Sequence, residues 1–142
     1  MVATRSSPLR LAGQRLPRPV HQVLYTAALT EVEVRSALQR LVREGRLDTA
    51  QAQRLTQRVA QHFTRRYQLI RITRTVVTQA GMLLERHPLR AYDAVQLACA
   101  LAVQRLMHQR GMPPPLFITA DDALLVAARA EGFPVDNPLQ HP

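Results

Sequence analysis

The sequence predicts an α/β domain: a three-layer arrangement in which a parallel sheet is flanked by helices. Three observations carry that prediction. Short β-branched or aromatic runs alternate with longer amphipathic ones, Gly, Pro and Asp punctuate the connections, and one helical segment is apolar nearly all round. With 142 residues the chain has the size of one domain, long enough to bury roughly two-thirds of its unfolded surface in one core. Hydrophobic residues make up 46%, yet there is no Trp and only three Tyr and three Phe. Leu, Val, Ile and Ala must therefore fill the core.

Residues 1–20 hold three prolines and no period, so they are expected to form an irregular arm ahead of a domain spanning 21–142. Gln22 to Leu29 has strand composition. Thr30 then starts a helix whose Val34, Ala37, Leu38, Leu41 and Val42 share a face, and Gly45 stops it. Asp48, with Gln51 three residues on, opens a second helix with Ala52, Leu55, Val59 and Phe63 inward and Gln and Arg outward. Tyr67 to Ile72 reads as a strand. A helix from about Thr75 ends at His87-Pro88, where the residue before proline is pushed out of helical geometry. The segment LRAYDAVQLACALAVQRL, Leu89 to Leu106, is the next helix and should be buried, because it lacks a polar face. Leu116 to Ala120 forms a strand running into Asp121-Asp122 and a helix closed by Gly132. Phe133 to Val135 supplies a last short strand.

The single cysteine, Cys99, lies among Ala and Leu and reads as a small buried hydrophobe, which fits a reducing, cytoplasmic setting. No run approaches the ~18 apolar residues of a membrane span, and Arg5, Arg10, Arg15 and Arg18 are not followed by a signal-like apolar core. Net charge is +9, and all 19 basic residues are Arg. Coding bias explains the choice of Arg over Lys, but not its distribution. Residues 1–74 hold 14 Arg against Glu31, Glu33, Glu44 and Asp48, whereas residues 75–142 hold five Arg against six acids. The first half therefore suits a polyanion.

Asp93 is the only charged residue between Arg90 and Arg105, inside the most apolar helix. A carboxylate there needs a cation or a metal, and Arg90 is one possible partner. Asp121 follows a strand, where ligands gather in parallel α/β sheets, although an Asp at that point is more often a helix cap. Thr30-Glu31-Val32-Glu33 is likewise a capping-box pattern, in which Glu33 would only reach back to the cap amide. Taken together, three acids near helix starts can converge on one end of a sheet. Hard oxygen donors without His or Cys suit Mg²⁺ or Mn²⁺, the ions used to hydrolyse phosphodiesters. The five histidines have no ligand spacing.

Three stretches, ALTEVEVRSALQR (Ala28 to Arg40), LRAYDAVQLACAL (Leu89 to Leu101) and FITADDALLVAARAEGFPVDNP (Phe117 to Pro138), occur in an order and at spacings that resemble the PIN-domain proteins. The resemblance is in particular to the ribonuclease toxins of VapBC-type toxin–antitoxin pairs, over about residues 22–138. It implies a PIN-like fold and a Mg²⁺-dependent endoribonuclease. The metal-binding acids would be Glu33, Asp93 and Asp121, with Asp122 as an auxiliary ligand. Arg35, Arg40, Arg43, Arg71 and Arg74 are the expected phosphate contacts. A cognate antitoxin and a homodimer are family expectations; a membrane is not. Family members open with a central strand bearing another Asp, but here no Asp precedes Asp48 and no Glu precedes Glu31. A missing central strand would expose the ladder edges of its neighbours, lower stability and impair activity. Truncation and degeneration of a paralogue both explain such a chain. The alternative function is an inactive PIN-fold module that binds an antitoxin or RNA.

Overall fold

The computed structural model describes residues 1–4 and 23–140. In chain order these form β1 (Val2–Thr4), β2 (Val23–Ala27), α1 (Thr30–Arg43), α2 (Thr49–Arg66), β3 (Tyr67–Ile70), α3 (Arg74–Arg86), α4 (Ala91–Gln109), β4 (Leu116–Ile118), α5 (Asp122–Ala130) and β5 (Val135–Asp136). The α/β class expected from the alternating pattern is the class observed.

The sheet is mixed rather than parallel. Its strand order is β3-β2-β1-β4-β5. The pairs β2–β3 and β4–β5 are parallel, while β1 runs antiparallel to both β2 and β4. The expected gap at the centre of the sheet is therefore filled. Val2 lies opposite Tyr25 on one side and Phe117 on the other, and Val2 and Ala3 are buried. This corrects two expectations: the central position is occupied, and residues 2–4 are a strand rather than the start of an irregular arm. The physical reason is that β2 and β4 leave unpaired backbone groups facing each other, and any three residues that can supply a ladder on both sides satisfy them. Residues 5–20 of the expected arm lie outside the described residues.

Local signals act where the chemistry is unambiguous. Asp48 accepts from the Gln51 amide at 2.6 Å, and the Asp48 amide donates to the Gln51 side chain at 2.9 Å, giving the anticipated capping box. Gly45 and Gly132 end α1 and α5 at φ +67° and +85°, where a β-carbon would be strained. β5 begins at Val135, two residues later than expected. Phe133 is not a strand residue; it turns inward and packs on Phe117 with ring centroids 5.5 Å apart.

The core lies where α3, α4 and α5 meet the sheet. Leu83, Ala94, Leu97, Ala98, Phe117 and Ala128 are completely enclosed. Five consecutive α4 residues, Leu97 to Leu101, are buried, which is possible only for a helix covered on all sides. Three of the five are Ala or Cys, and these small side chains let the helix approach β2 and α3 closely. Cys99 is buried as expected, and burial pushes its thiol up to about 11. In contrast, α1 buries no residue and packs mainly on α2. No helix among the described residues is long and apolar enough to cross a membrane.

Candidate active site

β2 and β4 both run against β1, so their carboxyl ends, Ala27 and Ile118, lie on the same side of the sheet. From that side α1 departs after β2 and α5 departs after Thr119-Ala120-Asp121. The amino end of α4 is tied to it by side chains. Gln96 donates to the Thr30 hydroxyl at 2.8 Å and to the Tyr92 hydroxyl oxygen at 2.7 Å. The Thr30 and Tyr92 hydroxyls are 3.3 Å apart, and Thr30 also shares a 2.8 Å hydrogen bond with the buried Thr26.

The Tyr92 hydroxyl donates to the Thr30 hydroxyl, and the Glu33 carboxyl stands close enough to be felt by the phenol. Burial first, with the Glu33 charge adding to it, pushes the Tyr92 phenol up to about 12, so the phenol keeps its proton. Gln96 uses both N–H groups and Tyr92 its O–H, and the Thr30 hydroxyl is the oxygen on which both converge.

The start of α1 overturns the capping-box reading of Glu33. The N-cap is Leu29 rather than Thr30, and no side chain caps the helix. Thr30 sits one residue inside, where its hydroxyl faces Tyr92, Gln96 and Thr26 instead of the backbone. Glu33 is exposed beside Tyr92 and Asp93 of α4 and closes no capping box at its own helix start.

Glu33, Asp93 and Asp121 are brought into electrostatic contact in sequence. Partial burial raises the Glu33 carboxyl above its ordinary range, the Tyr92 hydroxyl beside it opposes this, and the Asp93 charge adds to it. Asp93 is also raised, by burial and then by the Asp121 charge, against the Arg90 charge and backbone amide. Asp93 is half-buried in the first turn of α4, close to Arg90 at the helix start. Asp121 caps α5 by accepting from the Leu124 amide at 2.8 Å, as an Asp after a strand was expected to do. Asp122 is the first residue of α5 and exposed.

Among the described residues, no group of three or more His, Cys, Asp or Glu side chains stands close enough to hold one metal ion. The donor chemistry suits a hard cation; the spacing gives coupled pairs, not a closed clasp. Magnesium does not require one, since it binds through one or two carboxylates and keeps several waters.

The arginines divide. Arg35 is neutralised by Glu31 at 2.7 Å, whereas Arg40 and Arg43 are exposed in the last turns of α1. Arg71 and Arg74 are exposed just past the carboxyl end of β3, the same end of the sheet as the acids. Sequence reasoning missed Thr26, Thr30, Tyr92 and Gln96. The signal available was Tyr92 and Gln96 at i, i+4 in an otherwise apolar helix, which places two polar groups on one face. No family model matches the chain, and no curated protein matches it.

Proposed function

We propose that the chain is a PIN-type, Mg²⁺-dependent endoribonuclease, the toxin of a toxin–antitoxin pair, acting at the carboxyl ends of β2 and β4. The observation that carries this reading is the line of charge contacts from Glu33 to Asp93 and from Asp93 to Asp121, three acids contributed by α1, α4 and the start of α5. Anions that repel each other without enough cationic compensation favour a divalent ion. In this reading Asp93 holds Mg²⁺, helped by Glu33 and Asp121 and by Asp122 as an auxiliary. Bound Mg²⁺ supplies activation of water and stabilisation of charge on the leaving oxygen. Glu33, beside Tyr92, would accept the proton of the attacking water. Arg71 and Arg74 flank this end of the sheet and suit the RNA backbone. An antitoxin and self-association belong to the same proposal.

A second reading, an inactive PIN-fold module that binds an antitoxin or RNA, is favoured by one observation. Val2 to Thr4 occupy the centre of the sheet and bring no acid to it.

The test is RNA cleavage with and without Mg²⁺, for the parent chain and for Asp93→Asn and Asp121→Asn. Both substitutions keep an oxygen that can cap a helix, so the fold is retained. Loss of roughly 10²-fold in cleavage is expected for each. In parallel, Mg²⁺ should stabilise the parent by about 2.7 kcal/mol at a hundred times its dissociation constant, seen as a raised melting temperature, and leave Asp93→Asn unmoved. Metal-independent cutting, or variants as active as the parent, would show that the site is misplaced. Metal binding without cleavage would leave the module reading standing.

A further inference from the structure

On α2, Arg54, Arg58 and Arg65 fall within about 40° of one another around the helix at 3.6 residues per turn, with Gln51 and Gln61 filling the same stripe. The stripe points away from Ala52 and Phe63, the buried residues of the helix, and all three arginines are exposed. None of the three has an acidic partner among the described residues. α2 itself contains no Asp or Glu. Arg54 and Arg58, at i and i+4, repel each other, and nothing on the helix offsets this. An ordinary solvated face intersperses both signs, as α1 does with Glu31 and Arg35. A bias toward Arg does not produce a one-sided, acid-free row; at the end of α3, Glu85 precedes Arg86, which pairs with Glu131.

From these observations we infer that the Arg54–Arg58–Arg65 stripe of α2 is a track for the phosphates of a single-stranded RNA. At 1.5 Å per residue the row is about 16 Å long. That length spans about five nucleotides of a base-stacked strand at about 3.4 Å per step. The inference rests on the ribonuclease reading for its choice of polyanion but concerns binding and not cleavage. It moves the phosphate contacts from Arg35, which is already paired, to a helix whose guanidinium groups are unpaired.

The experiment measures binding of a fluorescent single-stranded RNA oligonucleotide, with chelator present, across a series of salt concentrations. It compares the parent chain, the triple variant R54Q/R58Q/R65Q, and a control, R105Q/R110Q/R129Q, that removes the same charge from the other half of the chain. Gln is nearly as good a helix former as Arg, and far-UV circular dichroism checks that α2 persists. The salt slope of the α2 triple should fall by about 2, because each lost contact to a single strand contributes about 0.7. Its affinity should fall at least tenfold at low salt, with the control weakened much less. An unchanged slope in the α2 triple, an equal loss in the control, or a parent chain that does not bind RNA would overturn the inference. If the parent binds through the stripe but does not cleave when Mg²⁺ is restored, the track stands and the ribonuclease reading falls.

Discussion

At Asp93 a carboxyl in the first turn of a buried helix is pulled two ways. Arg90 beside it favours the charged form, while the charges of Asp121 and Glu33 oppose an anion there. Because burial and then the Asp121 charge raise Asp93 above its ordinary value of 3.8, the folded chain holds this proton more tightly than the unfolded chain. The contribution to stability is therefore greatest below pH 3.8 and falls as pH rises through the raised value. Asp93→Asn keeps a polar group of the same shape and removes the repulsion. In metal-free buffer it should melt above the parent at pH 7, by less than about 1 kcal/mol because the carboxyl is partly in water, and the advantage should vanish near pH 3. Thermal melts of both chains across this range check it. A variant less stable than the parent at pH 7 would mean that attraction to Arg90 outweighs the repulsion. Asp93 was legible as anomalous from its apolar surroundings. Glu33 was ambiguous, because Thr-x-x-Glu serves equally for a capping box and for a threonine and a glutamate reaching across to another helix.

α4 joins the core to the site in one element. Its inner faces place Ala94, Leu97, Ala98 and Leu101 against α3 and the sheet, and its first turns present Tyr92, Asp93 and Gln96 to α1. Its entry is fixed by His87, whose ring nitrogen lies 2.7 Å from Glu131 at the end of α5, with Arg86 on the same carboxylate. Leu97 is fully enclosed one residue past Gln96, so Leu97→Ala removes core contacts without touching the polar network. A loss of about 2–5 kcal/mol in stability is expected, measured by urea unfolding. A loss below ~1 kcal/mol would mean that α4 is not held by packing there. The burial of this helix could be read from a sequence without a polar face, and the caps at Asp48, Asp121, Gly45 and Gly132 from residue chemistry alone. β1 could not be read so. Three residues are too few for a two-residue period, and their burial comes from strands that flank them far away in sequence.

Over the whole molecule, apolar burial and positive charge are separated. Eight residues of α4 and four of α5 are buried, but only Ala52 and Phe63 of α2 and none of α1. The arginine-rich helices α1 and α2 thus form a hairpin attached to a core built largely by α3, α4 and α5. The charge imbalance in the sequence foreshadowed this division, because a face that remains solvated can keep its arginines, whereas a buried one cannot. The direction of β1 was not foreshadowed, since no local pattern encodes whether a central strand runs with or against its neighbours. Local stability should follow burial: opening α1 exposes little apolar surface, while opening α4 dismantles the core. Native-state hydrogen exchange should therefore find amides in the middle of α1 protected at least tenfold less than those of Leu97 to Leu101, with the α4 amides exchanging only through global unfolding. Equal protection would mean that the hairpin and core unfold as one unit. RNA added in chelator should raise protection in α2 first, because ligand binding stabilises the element it touches before the remainder of the chain.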